Sequence, residues 1–181
     1  MFTVVMNFAR VRAVVLAGLL AVAAAVLVTV AVVRDSQAGA VAGGGCPDGA
    51  VRADVRLPDD NQQVTVRVYN GSRIPGLARS VSEDFRNRRF GTGRPAESRT
   101  KVDGVAVLRY GPDAVGRAWL VRAYFLDQAD AQYDPRRKGP VVDVVVGAGF
   151  RQLATFTEVS QSLVALGEPE LPPGACPAPR T

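Results

Sequence analysis

Valines at positions 64, 66 and 68 alternate with Thr65, Arg67 and Tyr69, the period-two pattern of a strand with one buried face. Asn70-Gly71-Ser72 then turns the chain, and Pro75 suits the first turn of a helix. From there the period changes. Leu77, Ala78, Val81 and Phe85 recur at i, i+1, i+4 and i+8, which predicts a helix over 75–88 with Arg79, Ser82, Glu83 and Arg86 facing water. A short edge strand is expected over 95–98 and a stronger, central strand over 105–110. Gly111-Pro112-Asp113 opens a second helix whose stripe is Ala114, Ala118, Val121 and Phe125, with Trp119 half-buried beside it. A loop covers 126–140, and the valine-rich run 141–146 makes the last strand. Thr155 and Glu158 then form a T-x-x-E capping box for a third helix, with Phe156, Val159, Leu163 and Leu166 as its docking stripe.

The order β-α-β-β-α-β predicts an α/β (α+β) domain of the ferredoxin-like kind, two split βαβ units with both helices on one face of a sheet. Upstream, residues 13–33 carry no charge, directly after Arg10 and Arg12, and Arg34 with Asp35 closes the run. A helix of that length spans the roughly 30 Å core of a bilayer, and the two arginines place its amino end in the cytoplasm. The expected division is therefore a cytoplasmic 1–12, a transmembrane signal-anchor helix 13–33, an extracytoplasmic linker 34–61, the domain 62–151, and a helix with a Pro-rich tail over 152–181. Ala38-Gly39-Ala40 also fits a cleaved signal peptide, and Cys46 a weak lipoprotein site after three glycines. Either reading leaves the folded part outside the cytoplasm.

That placement changes what the cysteines mean. Cys46 and Cys176, the two in the chain, bracket the domain, and in an oxidising compartment they are expected to form a structural disulfide. No histidine is present, so a Ser-His base is unavailable, and a Ser-Lys pair would have to draw on Lys101 or Lys138 from loops. Asp59, Asp60, Asp127 and Asp130 have no Ca²⁺-loop spacing. The chain is read as no enzyme, with no cofactor and no metal.

The net charge of +5 is partly a matter of the amino-terminal flank. All 17 acidic residues lie beyond Arg34, so the remainder is only mildly basic, which argues against a nucleic-acid partner. Two basic clusters, Arg86, Arg88, Arg89 and Arg94, then Arg136, Arg137 and Lys138, are candidates for a patch that meets an anionic polymer. The Asn70-Gly71-Ser72 turn, handing a strand to a helix start, is expected to be structural, with anion binding the alternative.

The segment Val66-Arg67-Val68-Tyr69-Asn70-Gly71-Ser72, then Gly76-Leu77-Ala78 and a helix ending at Arg89-Phe90-Gly91, resembles the LytR C-terminal domain family. Residues 105–110 resemble its second strand, and the closing run from Val142 through Gly147 to Phe150 its V-x-V-x-x-G-x-x-F ending. The resemblance implies a non-catalytic protein of an actinobacterial cell envelope, anchored in the cytoplasmic membrane and serving envelope integrity. Its implied partners are peptidoglycan, an anionic wall glycopolymer or envelope-assembly proteins. The alternative is an accessory subunit of a LytR-type glycopolymer phosphotransferase.

Overall fold

The computed structural model describes residues 15–19, 21, 22, 24, 25 and 46–179. Of the expected transmembrane run, most lies outside the described residues. The described part is helical, with Val15, Leu16, Leu19 and Val22 exposed. Among the described residues no helix is long and apolar enough to cross a membrane. The membrane-spanning part of the expected fold, and the signal-anchor, single-pass topology and membrane partner that hung on it, are corrected accordingly.

The rest is built around β1 (Val51–Ala53), β2 (Thr65–Asn70), α1 (Leu77–Asn87), β3 (Gly91–Thr92), β4 (Ala96–Glu97), β5 (Ala106–Tyr110) and α2 (Val115–Ala123). It continues through β6 (Ala129–Tyr133), β7 (Val141–Val146), α3 (Phe156–Leu166) and β8 (Ala175–Pro177). The main sheet runs β3-β2-β7-β5-β6, with β4 also on β2. β7 pairs with β2 in parallel, from Thr65↔Val141 to Asn70↔Val146, and with β5 in antiparallel. β2 is parallel to β3 and β4, and β5 to β6.

This corrects the ferredoxin-like expectation. In a split βαβ unit a foreign strand lies between the two strands of the unit. Here each unit keeps its own strands side by side, the two units run in opposite directions, and β7 joins them. The loop expected over 126–140 contains β6, which takes the place beside β5 that a split arrangement would leave to another strand. β7 is suited to the middle because five of its six residues are valine, the composition of a strand buried on both faces.

Val64, Val66 and Val68, with Ala106, Leu108, Val142, Val144 and Val146, meet Ala78, Val81 and Phe85 of α1 and Ala118 and Val121 of α2 in one core. Both helices therefore cover the same face. Phe85 is the hub of the aromatic packing: its ring centroid lies 5.1 Å from Phe90, 6.3 Å from Tyr124 and 6.2 Å from Phe125, within the range where edge-to-face contacts add to simple burial. Ser82, expected at water, is buried. α1 starts at Leu77, two residues later than Pro75, because Gly76 takes φ 76° as its N-cap, a left-handed conformation that costs glycine little.

Alternation along the strands leaves Thr65, Arg67, Tyr69, Val107, Arg109, Asp143 and Val145 on the opposite face. Val102, from the loop before β5, covers its upper part by packing on Val107 and Val145, with Tyr69 alongside. The lower part carries Arg67, Arg109 and Asp143 and has no helix over it.

α3 begins with the expected capping box: the Thr155 hydroxyl accepts from Glu158 N–H, and the Glu158 carboxylate accepts from Thr155 N–H at 2.7 Å. Val159 and Ser162 are buried, and Leu163 and Leu166 lie against the core. Phe156, expected on the docking stripe, is instead 83 % exposed: the buried part of the helix begins at Val159, a turn further on. Trp119 is half-buried and donates to the Gly167 carbonyl at 2.9 Å. Residues from Asp48 onward form one compact unit and those up to Pro47 another. Within the larger unit, β1 and β8 make a separate parallel pair. Both cysteines are disulfide-bonded.

Candidate functional site

The centre of the uncovered face is a carboxylate held by two guanidinium groups. Arg67 and Asp143 are register partners on adjacent parallel strands, so their side chains leave the sheet side by side. Arg67 Nε donates to Asp143 Oδ1 at 2.7 Å and a terminal nitrogen reaches Oδ2 at 3.3 Å. From the β6–β7 loop, Arg137 comes to 2.6 Å of the same Oδ2. The Asp143 side chain is 10 % exposed, Arg137 22 % and Arg67 46 %. The hydrogen bond to Asp143 holds the Arg67 guanidinium more firmly protonated than an ordinary arginine. Charge-assisted forks of this kind fix orientation as well as adding energy.

Two glycines make room for the arrangement. A Cβ at Gly93 would come within 2.7 Å of Arg67 Cγ, and one at Gly111 within 2.3 Å of the Arg137 carbonyl oxygen. Arg109 lies opposite Asp143 on the other side, in the antiparallel register of β5 and β7. Its Nε donates to the neutral amide oxygen of Gln132 at 3.2 Å. Two guanidinium groups thus share one carboxylate, and a third stands in register beside them on a neutral partner. None of these residues except Arg137 stands out in the sequence. The signal available is that Asp143 interrupts an otherwise apolar central strand, where a buried acid requires cationic partners.

The basic clusters border the end of the sheet where β2 and β7 begin and β5 and β6 finish, except Arg94, which follows Gly93 midway along the β2 edge. Arg88 caps α1 and is drawn inward, donating to the Asp84 carbonyl at 3.2 Å and facing the Leu153 carbonyl at 3.5 Å. Arg89 pairs loosely with Asp60 at 3.9 Å. Arg136 pairs with Asp134 at 3.3 Å while remaining 90 % exposed. Arg86, Arg94 and Lys138 are exposed. Of the seven residues predicted as a patch, Arg88 is committed to backbone carbonyls, Arg137 is held by Asp143 on the uncovered face with part of its side chain exposed, and the other five face solvent.

At the opposite end, Asn70 is buried and organises the turn. Its carbonyl oxygen accepts from Ser72 N–H at 3.0 Å and from the Ser72 hydroxyl at 2.7 Å, and its amide donates to the Ile74 carbonyl at 3.0 Å and to Glu97 at 3.3 Å. Gly71 N–H goes to the Val146 carbonyl at 2.8 Å. The side-chain donors of Asn70 and Ser72 and the N–H groups of Gly71 and Ser72 are all used within the protein, and the Glu97 carboxylate stands beside them. The geometry is that of a tied turn. Among the described residues no group of three histidine, cysteine, aspartate or glutamate side chains is placed to hold a metal ion.

An α+β sheet with one face covered by helices and the other presenting a preorganised basic row defines a domain that offers a surface. Residues 63–150 match the LytR_C family model, described as LytR cell envelope-related transcriptional attenuator. That match agrees with the reading of the chain as no enzyme. Among solved structures, the chain is similar to the soluble domain of a conserved hypothetical secreted protein from Mycobacterium marinum, at 21 % identity and a TM-score of 0.50. The match covers 67 % of this chain and 83 % of that one, and at this identity it is a likeness of fold. No curated protein matches the chain.

Proposed function

We propose that the chain is an extracytoplasmic domain of a bacterial cell envelope that acts by binding an anionic wall glycopolymer and so supports envelope integrity. The observation that carries the reading is the correspondence of 63–150 to a cell-envelope domain family. The solvent-reaching Arg67 and Arg109 on the uncovered sheet face agree with it. The layout of solitary domain, flanking Cys-Pro pairs and α3 is similar to that of an actinobacterial envelope integrity protein, which is the finer form of the same proposal. Full-length protein should sediment with isolated cell-wall sacculi and be released by added salt, since the attraction is screened as ionic strength rises. Protein that stays in the supernatant at low salt contradicts the reading.

A further inference from the structure

We infer that the uncovered face of the sheet, at Arg67, Arg109 and Arg137, is where an anionic polymer is gripped, and that the group recognised is a phosphodiester. The inference rests on the wall-polymer reading above and adds the site and the ligand chemistry. Surface arginines are ordinarily mobile and neutralised one for one by nearby acids. These three are neither. Arg67 and Arg137 are oriented by a shared carboxylate, and Arg109 by a neutral amide, so ordering cancels only one of the three positive charges. Gly93 and Gly111 supply the space that this ordering needs.

A phosphodiester suits such a site. The planar guanidinium fork matches its two free oxygens, and the charge stays fixed at any envelope pH. The half-buried Tyr69 stands on the same face, in register with Val145, where a sugar ring beside the phosphate would lie. Asp130 is the exposed acid on that face of β6, opposite Val107, and it sets the edge the polymer avoids. The seven-residue patch read from the sequence is in this account peripheral, apart from Arg137.

The test uses full-length protein and isolated sacculi before and after acid removal of phosphodiester-linked polymers. Arg109→Gln removes a guanidinium while leaving the Asp143 cluster intact, and should weaken binding about tenfold, the value of one charge-assisted contact. The double variant Arg67→Gln/Asp143→Asn leaves net charge unchanged and should also weaken it. Arg86→Gln/Arg94→Gln, which loses two positive charges elsewhere, should bind within about twofold of the unmodified protein. If Arg86→Gln/Arg94→Gln loses as much as Arg109→Gln, the location is wrong although the wall-polymer reading survives. If stripped sacculi bind as well as intact ones, the phosphodiester is wrong. If the unmodified protein binds neither, the parent reading itself fails.

Discussion

Arg67 and Asp143, 76 residues apart in sequence, lie opposite one another on neighbouring parallel strands with Nε and Oδ1 2.7 Å apart. The contact ties the first long strand of the domain to the last. It also sets the orientation of the one face that no helix covers.

Asp143→Ala should therefore do more than remove a surface pair. It leaves Arg67 and Arg137 without the nearly buried carboxylate they share, which should cost about 1–3 kcal/mol. Urea unfolding will read this as a lower midpoint with unchanged slope. A midpoint within error of the unmodified protein would show that the cluster contributes nothing to folding.

A second stability prediction separates two glycines of the same domain. A Cβ on Gly116 would come within 1.9 Å of the Arg56 carbonyl oxygen, whereas one on Gly104 meets nothing within 4 Å. Gly116→Ala must push the chain after β1 away from α2, where Gly116 N–H now donates to the Asp54 carbonyl at 2.9 Å. We expect a cost of about 1–3 kcal/mol for it and less than about 0.5 kcal/mol for Gly104→Ala. Equal melting temperatures for the two would contradict this contact.

Acid should act partly through Asp54. A side-chain hydrogen bond from Arg56 is the main cause holding its carboxyl below the ordinary range; burial opposes it, and the charges of Arg56 and Arg117 assist. A pKa depressed in the folded state means stability that is present above the ordinary value and is lost as pH falls through the folded one. The melting-temperature difference between the unmodified protein and Asp54→Asn should thus be constant above about pH 4.5 and shrink below about pH 4. A difference unchanged down to pH 2 rules this source out.

For the cysteines, we expect Cys46 and Cys176 to be joined to one another. Intact mass should rise by two hydrogen atoms on reduction, and Cys176→Ser should lower the melting temperature. Closing a loop of about 130 residues contributes at most about 5 kcal/mol in the chain-entropy account. Two alkylatable thiols in unreduced protein would overturn the pairing.

Much of the fold is legible in the sequence where composition and period agree. The valines of β2 and β7, the stripe of α1 and the Thr155–Glu158 box all announce their elements, because each satisfies a local rule as well as the tertiary one. β6 does not. Ala-Asp-Ala-Gln-Tyr contains no β-branched residue, and its strand conformation comes from β5 alongside. Missing that one edge strand is enough to mistake adjacent βαβ units for split ones. The basic face was harder still, since Arg67 and Arg109 read as ordinary outward residues and only the strand order brings both to Asp143. The run at 13–33 has the composition of a membrane span, yet the described residues contain no helix that could serve as one.

The β1–β8 pair has a mechanical consequence. Its strands are parallel, Val51 opposite Ala175 and Ala53 opposite Pro177, with the chain entering at the near end of one and leaving at the far end of the other. With Cys46 just ahead of β1 and Cys176 within β8 both in disulfide linkage, tension between those two points runs first through the covalent bridge, and only after its reduction would it load every rung of the ladder at once, in shear. A pair of three-residue strands placed this way is a second latch against stretching, held in reserve behind the first.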